Sequence, residues 1–183
     1  MTEIDRLSIP GLDRQDWGEP RQKTVVWHDP MITAAGGAGL SGLEFLRAIR
    51  DGALPLPPIA AVFGFVIREV EKGHVVFECV PDESAYNPIG GVHGGLVCTL
   101  ADTVAACAVH TTLEAGTAYT SIDLNVSYLR PVTKESGLLR AIGEVTKPGR
   151  RVAFSSARVL DTDDKLVATA TSSCLIMEGA PRP

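Results

Sequence analysis

From Leu96 to Leu113 the chain is almost wholly apolar or small, and Asp102 and His110 are its only charge-bearing side chains. A run of that length approaches what a membrane span needs. Its acid, its histidine and its many Thr and Ala residues instead predict a helix buried inside a globular protein. Being apolar nearly all round, such a helix must be covered on most sides by other elements. That requirement narrows the possible folds more than any other feature of the chain.

The flanking sequence supplies strands. Ile59–Val70 is β-branched and apolar, Glu71–Gly73 offers a turn, and His74–Val80 alternates as the second arm of a hairpin. After the helix come four strand-like runs, roughly 117–129, 136–147, 150–161 and 165–177, separated by Arg130-Pro131, Pro148-Gly149 and Asp161–Asp164. A hairpin, one buried helix and a four-strand meander predict an α+β domain, a single antiparallel sheet curled around the helix. The sheet's edges would still need partners, so the chain is expected to form homo-oligomers. We divide it into an N-terminal arm, 1–55, and a main domain, 56–178. Within the arm, Pro10, Pro20, Pro30 and Gly36-Gly37 make residues 1–38 irregular, with a short strand at Lys23–Trp27. A helix over 40–51 follows, with Ser41 as N-cap and Glu44 completing a capping box; Pro55, Pro57 and Pro58 end it.

The 183 residues suit one such core. A net charge of −5 speaks against general affinity for nucleic acid or for an anionic membrane surface. Met1–Arg6 has neither the basic start nor the apolar run of a signal peptide, so a cytoplasmic location is expected. Cys79, Cys98, Cys107 and Cys174 lack metal or redox spacing and sit within apolar patterns, which predicts reduced thiols and no metal.

Chemistry concentrates in Asn87-Pro-Ile-Gly-Gly-Val-His93-Gly94-Gly95 and the helix it enters. Glycines let a ligand approach the backbone. A helix's first turn offers free N–H groups at the positive end of its dipole, which suits a polarised carbonyl or an oxyanion. A tight loop with no ligand would use the same glycines. Asp102, about two turns inside an apolar helix, is harder to explain structurally, because an ionised carboxylate there is costly unless paired or hydrogen-bonded. It serves either as a catalytic acid-base group or as an anchor bonded to a Thr or a strand N–H.

Asn-x-x-x-Gly-x-His-Gly-Gly followed by Leu-x-Asp resembles the active-site segment of the phenylacetic-acid-degradation (PaaI-like) acyl-CoA thioesterases and their human mitochondrial relatives. Ser121–Pro131 is similar to the strand after the helix in that family, and the resemblance covers about residues 56–177. It implies a hotdog fold, hydrolysis of an acyl-CoA thioester, and no cofactor beyond the coenzyme A of the substrate. It also implies roles residue by residue. The Gly94 N–H polarises the thioester carbonyl, Asn87 bonds near it, and His93 supports the loop. Asp102 is general base or nucleophile, and Ser121 helps place the water, with Thr120 competing for that task. Gly95 belongs to the substrate-binding loop. The implied site is shared, Asp and Ser from one subunit facing Asn and Gly from its partner. The expected assembly is therefore a homodimer at least, and a homotetramer as its larger form.

Arg130, Lys147, Arg150 and Arg151 are candidates for the phosphates of coenzyme A, although Lys147–Arg151 reads equally as a solvated turn. Ser172 and Ser173 lack the Gly-x-Ser-x-Gly elbow of a serine hydrolase. The acyl group is expected to be aryl or medium-chain. The rival reading is a non-catalytic acyl-CoA binding or sensing protein on the same fold, which would keep the groove but need no acid in the helix.

Overall fold

A computed structural model describes residues 18–177. Its elements are α1 (Pro30–Gly36), α2 (Gly42–Arg50), α3 (Pro58–Phe63), β1 (Phe65–Glu71), β2 (His74–Cys79), α4 (Gly94–His110), β3 (Ala118–Tyr128), β4 (Leu139–Lys147), β5 (Val152–Leu160) and β6 (Leu166–Met177). The six strands form one antiparallel sheet in the order β1-β2-β4-β5-β6-β3, wrapped on α4.

The long helix begins at Gly94 and ends at His110, so it starts two residues before the apolar run and stops three residues short of the run's end. Its burial repeats in pairs. Leu96-Val97, Leu100-Ala101, Val104-Ala105 and Ala108-Val109 are buried, whereas Gly94-Gly95, Cys98-Thr99, Asp102-Thr103 and Ala106-Cys107 are half-exposed. The buried stripe packs on Leu139, Ala141, Ala157, Val159, Val167 and Ala170 of the sheet. Contact is closest at Gly143 on β4, where an added Cβ would lie 2.1 Å from the Val104 carbonyl oxygen. Only glycine lets the strand meet the helix backbone there.

Three expectations need correction. Ile59–Phe63 is helix rather than strand: Pro58 opens α3, and Gly64, in the left-handed region at φ 71°, closes it. Lys23–Trp27 forms no strand, and the region read as irregular contains α1, whose Asp29 side chain accepts the Met31 N–H beside Pro30. The four late strands do not form a meander either. Only β4, β5 and β6 do; β3 crosses to the far edge and pairs with β6, while β4 pairs with β2. The β3–β4 connection makes this possible by running round the end of the sheet. The N–H groups of Leu129 and Arg130 bond to Val167, and the Val132 carbonyl accepts from Val92 ahead of α4.

The described part of the arm, from residue 18, is fastened rather than free. Ser41 and Glu44 form a reciprocal capping box, and the Gly42 N–H bonds to Leu113 just past the end of α4. Lys23 reaches Asp82 at 2.6 Å and the Val62 carbonyl at 3.3 Å. No helix among the described residues is long and apolar enough to cross a membrane.

Candidate active site

The loop before α4 is held by its own polar groups. Asn87 Oδ1 accepts N–H bonds from Ile89 at 3.0 Å and Gly91 at 3.2 Å. Two donors on that oxygen fix the amide orientation and leave the Asn87 NH2 as the group free to donate elsewhere. The His93 N–H bonds to Ala85, and its side chain caps the helix, Nδ1 accepting the Gly95 N–H at 2.8 Å. Gly95 is thereby used up: it lines neither cleft described below, and a Cβ on it would crowd His93 at 2.8 Å. The Gly94 N–H is the next donor in line. As the first helical residue it has no intrahelical acceptor, and among the described residues nothing accepts it.

Gly94 opens into a cleft of about 490 Å³ shared with Asn87, Gly91, Val97, Tyr128 and Arg130. Its walls are otherwise mostly apolar, from Ile89, Val92, Leu129, Pro131, Val132 and Val167. The Arg130 guanidinium is exposed and donates to the Leu166 carbonyl. Tyr128 is a contributor that motif reading missed. Its hydroxyl donates to the Gly94 carbonyl at 3.0 Å, and its ring lies where a Gly94 Cβ would come within 3.2 Å.

Asp102 faces a second, shallower cleft of about 370 Å³ with Cys98, Thr99, Ser121, Ile122, Asp123 and Leu124. It is half-buried, and its partner is neither a Thr nor a strand N–H: Ser121 Oγ donates to Oδ1 at 2.9 Å. The neighbouring threonines are occupied, Thr99 bonding to the Gly95 carbonyl and Thr103 to that of Thr99. Asp102 Oδ2 has no protein donor among the described residues. Thr120 is exposed, its hydroxyl lies against the Ser121 carbonyl at 3.4 Å, and it does not line the cleft, so Ser121 alone of the two meets the carboxylate. Behind the acid, burial first and then the Asp102 charge push the Cys107 thiol up to about 12. Burial likewise raises Cys174. Neither thiol is an available nucleophile at neutral pH.

The two clefts share no lining residue. Along α4, Gly94 and Asp102 are separated by on the order of 12 Å of helix axis at the usual rise per residue. Lys147, Arg150 and Arg151 are exposed at the β4–β5 turn and line neither cleft. No group of three or more His, Cys, Asp or Glu among the described residues is arranged to hold a metal.

A six-stranded antiparallel sheet wrapped around one long helix defines the hotdog fold. The profile of the thioesterase superfamily matches residues 89–168. The chain is 33% identical over 97 residues to human acyl-coenzyme A thioesterase 13, covering 52% of this chain and 68% of that protein. It is 27% identical over 113 residues to the 1,4-dihydroxy-2-naphthoyl-CoA hydrolase of Listeria monocytogenes, covering 62% and 89%. Among solved structures, a phenylacetic acid degradation-related protein of Ralstonia eutropha superposes with a TM-score of 0.65 at 36% identity, covering 71% of this chain and 98% of that one. The chain belongs to the thioesterase superfamily.

Proposed function

We propose that this protein hydrolyses an aryl- or medium-chain acyl-CoA thioester to the free acid and coenzyme A. The observation that carries the reading is the pairing of Ser121 with Asp102 in one cleft while the Gly94 N–H stands unbonded beside Asn87 in the other. In the proposed reaction the thioester carbonyl oxygen accepts from Gly94 N–H and the Asn87 amide. Those donors stabilise the negative charge that develops on that oxygen, an effect worth about 3–4 kcal/mol per donor in comparable sites. Water approaches the opposite face, held by Asp102 Oδ2 and Ser121. Asp102 takes its proton as the C–O bond forms, the C–S bond breaks, and the coenzyme A thiolate leaves to be protonated. Attack by Asp102 itself, through an anhydride that water then opens, uses the same groups. No step draws on a metal or redox group.

The separation of the two clefts supports a site shared between two copies, the Gly94 side of one facing the Asp102 side of the other. The exposed outer edge of β3 supports the same assembly. β3 is long, ends the sheet and carries the exposed Ile122 and Tyr128, a strand edge that stays soluble only when paired or covered. The half-exposed stripe of α4 lies on the same side of the fold, since Ser121 and Tyr128 both reach it. The acyl class is supported by the apolar walls and the Tyr128 ring of the larger cleft, with Arg130 set for an anionic group of coenzyme A.

A thiol-release assay over a panel of aryl-, short- and medium-chain acyl-CoA esters tests this directly. Turnover by the wild type on aryl or medium-chain esters, abolished in Asp102→Asn, is the expected result. Saturable binding of the esters without thiol release would replace the enzyme with a binding protein.

A further inference from the structure

Strand β3 touches α4 at two functional points, and a regular strand is unable to do so. Ser121 and Tyr128 are seven residues apart, an odd separation that puts side chains on opposite faces of an ideal strand. The register with β6 shifts between Ser121 and Asp123: Ser121 pairs with Cys174 and Asp123 with Ser173, leaving Ile122 bulged out and exposed. Past the bulge the inward positions change parity, so that Leu124 and Val126 pack against the core. The bulge therefore turns both Ser121 and Tyr128 toward the helix. Ser121 bonds Asp102 at 2.9 Å, and Tyr128 bonds the Gly94 carbonyl at 3.0 Å.

We propose that Tyr128 is a positioning residue for the oxyanion donor, holding the first turn of α4 so that the Gly94 N–H points into the cleft. The proposal rests on the hydrolase reading above and adds to it a residue that the motif does not contain. The hydroxyl fixes the Gly94 carbonyl, and the ring packs on the face of Gly94 where any side chain would stand within 3.2–3.3 Å of it. A side chain at 94 would thus force the Tyr128 ring to give by a few tenths of an ångström. Burial, then the neighbouring Cys98, raises the Tyr128 phenol, so it remains a donor at neutral pH. An oxyanion site depends on its donors being fixed before charge develops, so a loosened Gly94 penalises the transition state more than the bound substrate.

The test is steady-state kinetics on Tyr128→Phe, which keeps the ring and deletes the hydroxyl, with melting temperature and oligomeric state measured in parallel. The expected result is a kcat lowered about tenfold, with KM within about twofold and melting temperature unchanged. Gly94→Ala, which sets its methyl against the ring, should cost at least threefold less in a Tyr128→Ala background than in the wild type, roughly the coupling expected of residues in contact. Wild-type kcat in Tyr128→Phe, or a loss matched by a lower melting temperature, would overturn the proposal while leaving the hydrolase reading intact. Absence of thioester turnover in the wild type itself would overturn both.

Discussion

The two stripes of α4, one of Leu, Val and Ala and the other of Gly, Cys, Thr and Asp with a single Ala, do opposite work. The buried stripe, Leu100-Ala101 and Val104-Ala105 at its centre, meets the sheet so closely that Gly143 has no room for a methyl group. The half-exposed stripe, Gly94, Cys98 and Asp102, is bonded by Ser121 and Tyr128 of β3 and opens on two clefts, and only at its far end does Ala106 pack against Val109, Ala153, Cys174 and Ile176. One stripe gains its energy from close packing and exclusion of water. The other keeps an amide and a carboxylate oxygen without a partner among the described residues, an arrangement that stability alone would not select. Because both belong to one helix, the packing of the first fixes the geometry of the second.

If the stripes divide in this way, substitutions on the exposed stripe should cost activity and spare the fold. Asp102→Asn and Asp102→Ala are expected to lower kcat by roughly two or more orders of magnitude with little change in melting temperature. Gly94→Pro deletes the donor N–H at a helix position that accommodates proline, though its ring must displace Tyr128. It should be at least as damaging as the Asp102 variants. A large drop in melting temperature for Asp102→Ala would break the comparison, because the acid would then be a structural anchor. The reverse pattern is expected on the buried stripe: Leu100→Ala, fully buried, should destabilise the protein by about 2–5 kcal/mol in denaturant unfolding. Its kcat per folded molecule should fall far less than that of the Asp102 variants.

Smaller effects sharpen the picture. Ser121→Ala leaves the carboxylate but removes its bond, and should lower kcat about tenfold without moving the fold. A loss as deep as that of Asp102→Asn would mean that Ser121 takes part in the chemistry directly. The smallest effect lies off the helix. The hydrogen bond from Lys23, then that from Ser84, holds Asp82 down at about 2, below its unfolded value of roughly 3.9. A depressed carboxylate contributes stability above the unfolded value and loses it as pH falls from about 4 toward 2. Both partners are more than a third exposed, so the contribution is under about 1 kcal/mol. Proteolysis of the arm should accelerate more steeply in that acid window for the wild type than for Asp82→Asn, which keeps the Glu44 capping box but loses the Lys23–Asp82 pair. Equal pH dependence in both proteins would detach Lys23–Asp82 from the holding of the arm.

The buried helix, the Ser41–Glu44 cap and the runs that became β2 to β6 were legible because each follows from spacing or from a terminal signal. The segment at Ile59 was not: an apolar run of five residues fits a strand or a helix turn equally, and the deciding marks were Pro58 before it and Gly64 after it. Strand order was hidden because alternation reveals a strand's faces but not its neighbours, and β3 reaches its place only through a long detour round the sheet. In the site, the loop and Asp102 were visible as a motif. Tyr128 was invisible for a definite reason, since the bulge at Ile122 reverses the inward parity and places on the helix a residue that simple counting from Ser121 turns away. The basic turn Lys147–Arg151 was equally beyond reach, charge alone saying nothing of where a turn stands relative to a cleft.

The claim on which the account rests is that Gly94 and Asp102 serve one reaction from two different copies of the chain. A heterodimer of Asp102→Asn and Gly94→Pro subunits, purified through two tags, tests it. One of its two sites then carries both lesions and the other neither, so the account predicts about half the turnover of the wild-type dimer, although each variant alone is inactive. A heterodimer as inactive as its parents would place both groups in a single chain and contradict the shared site.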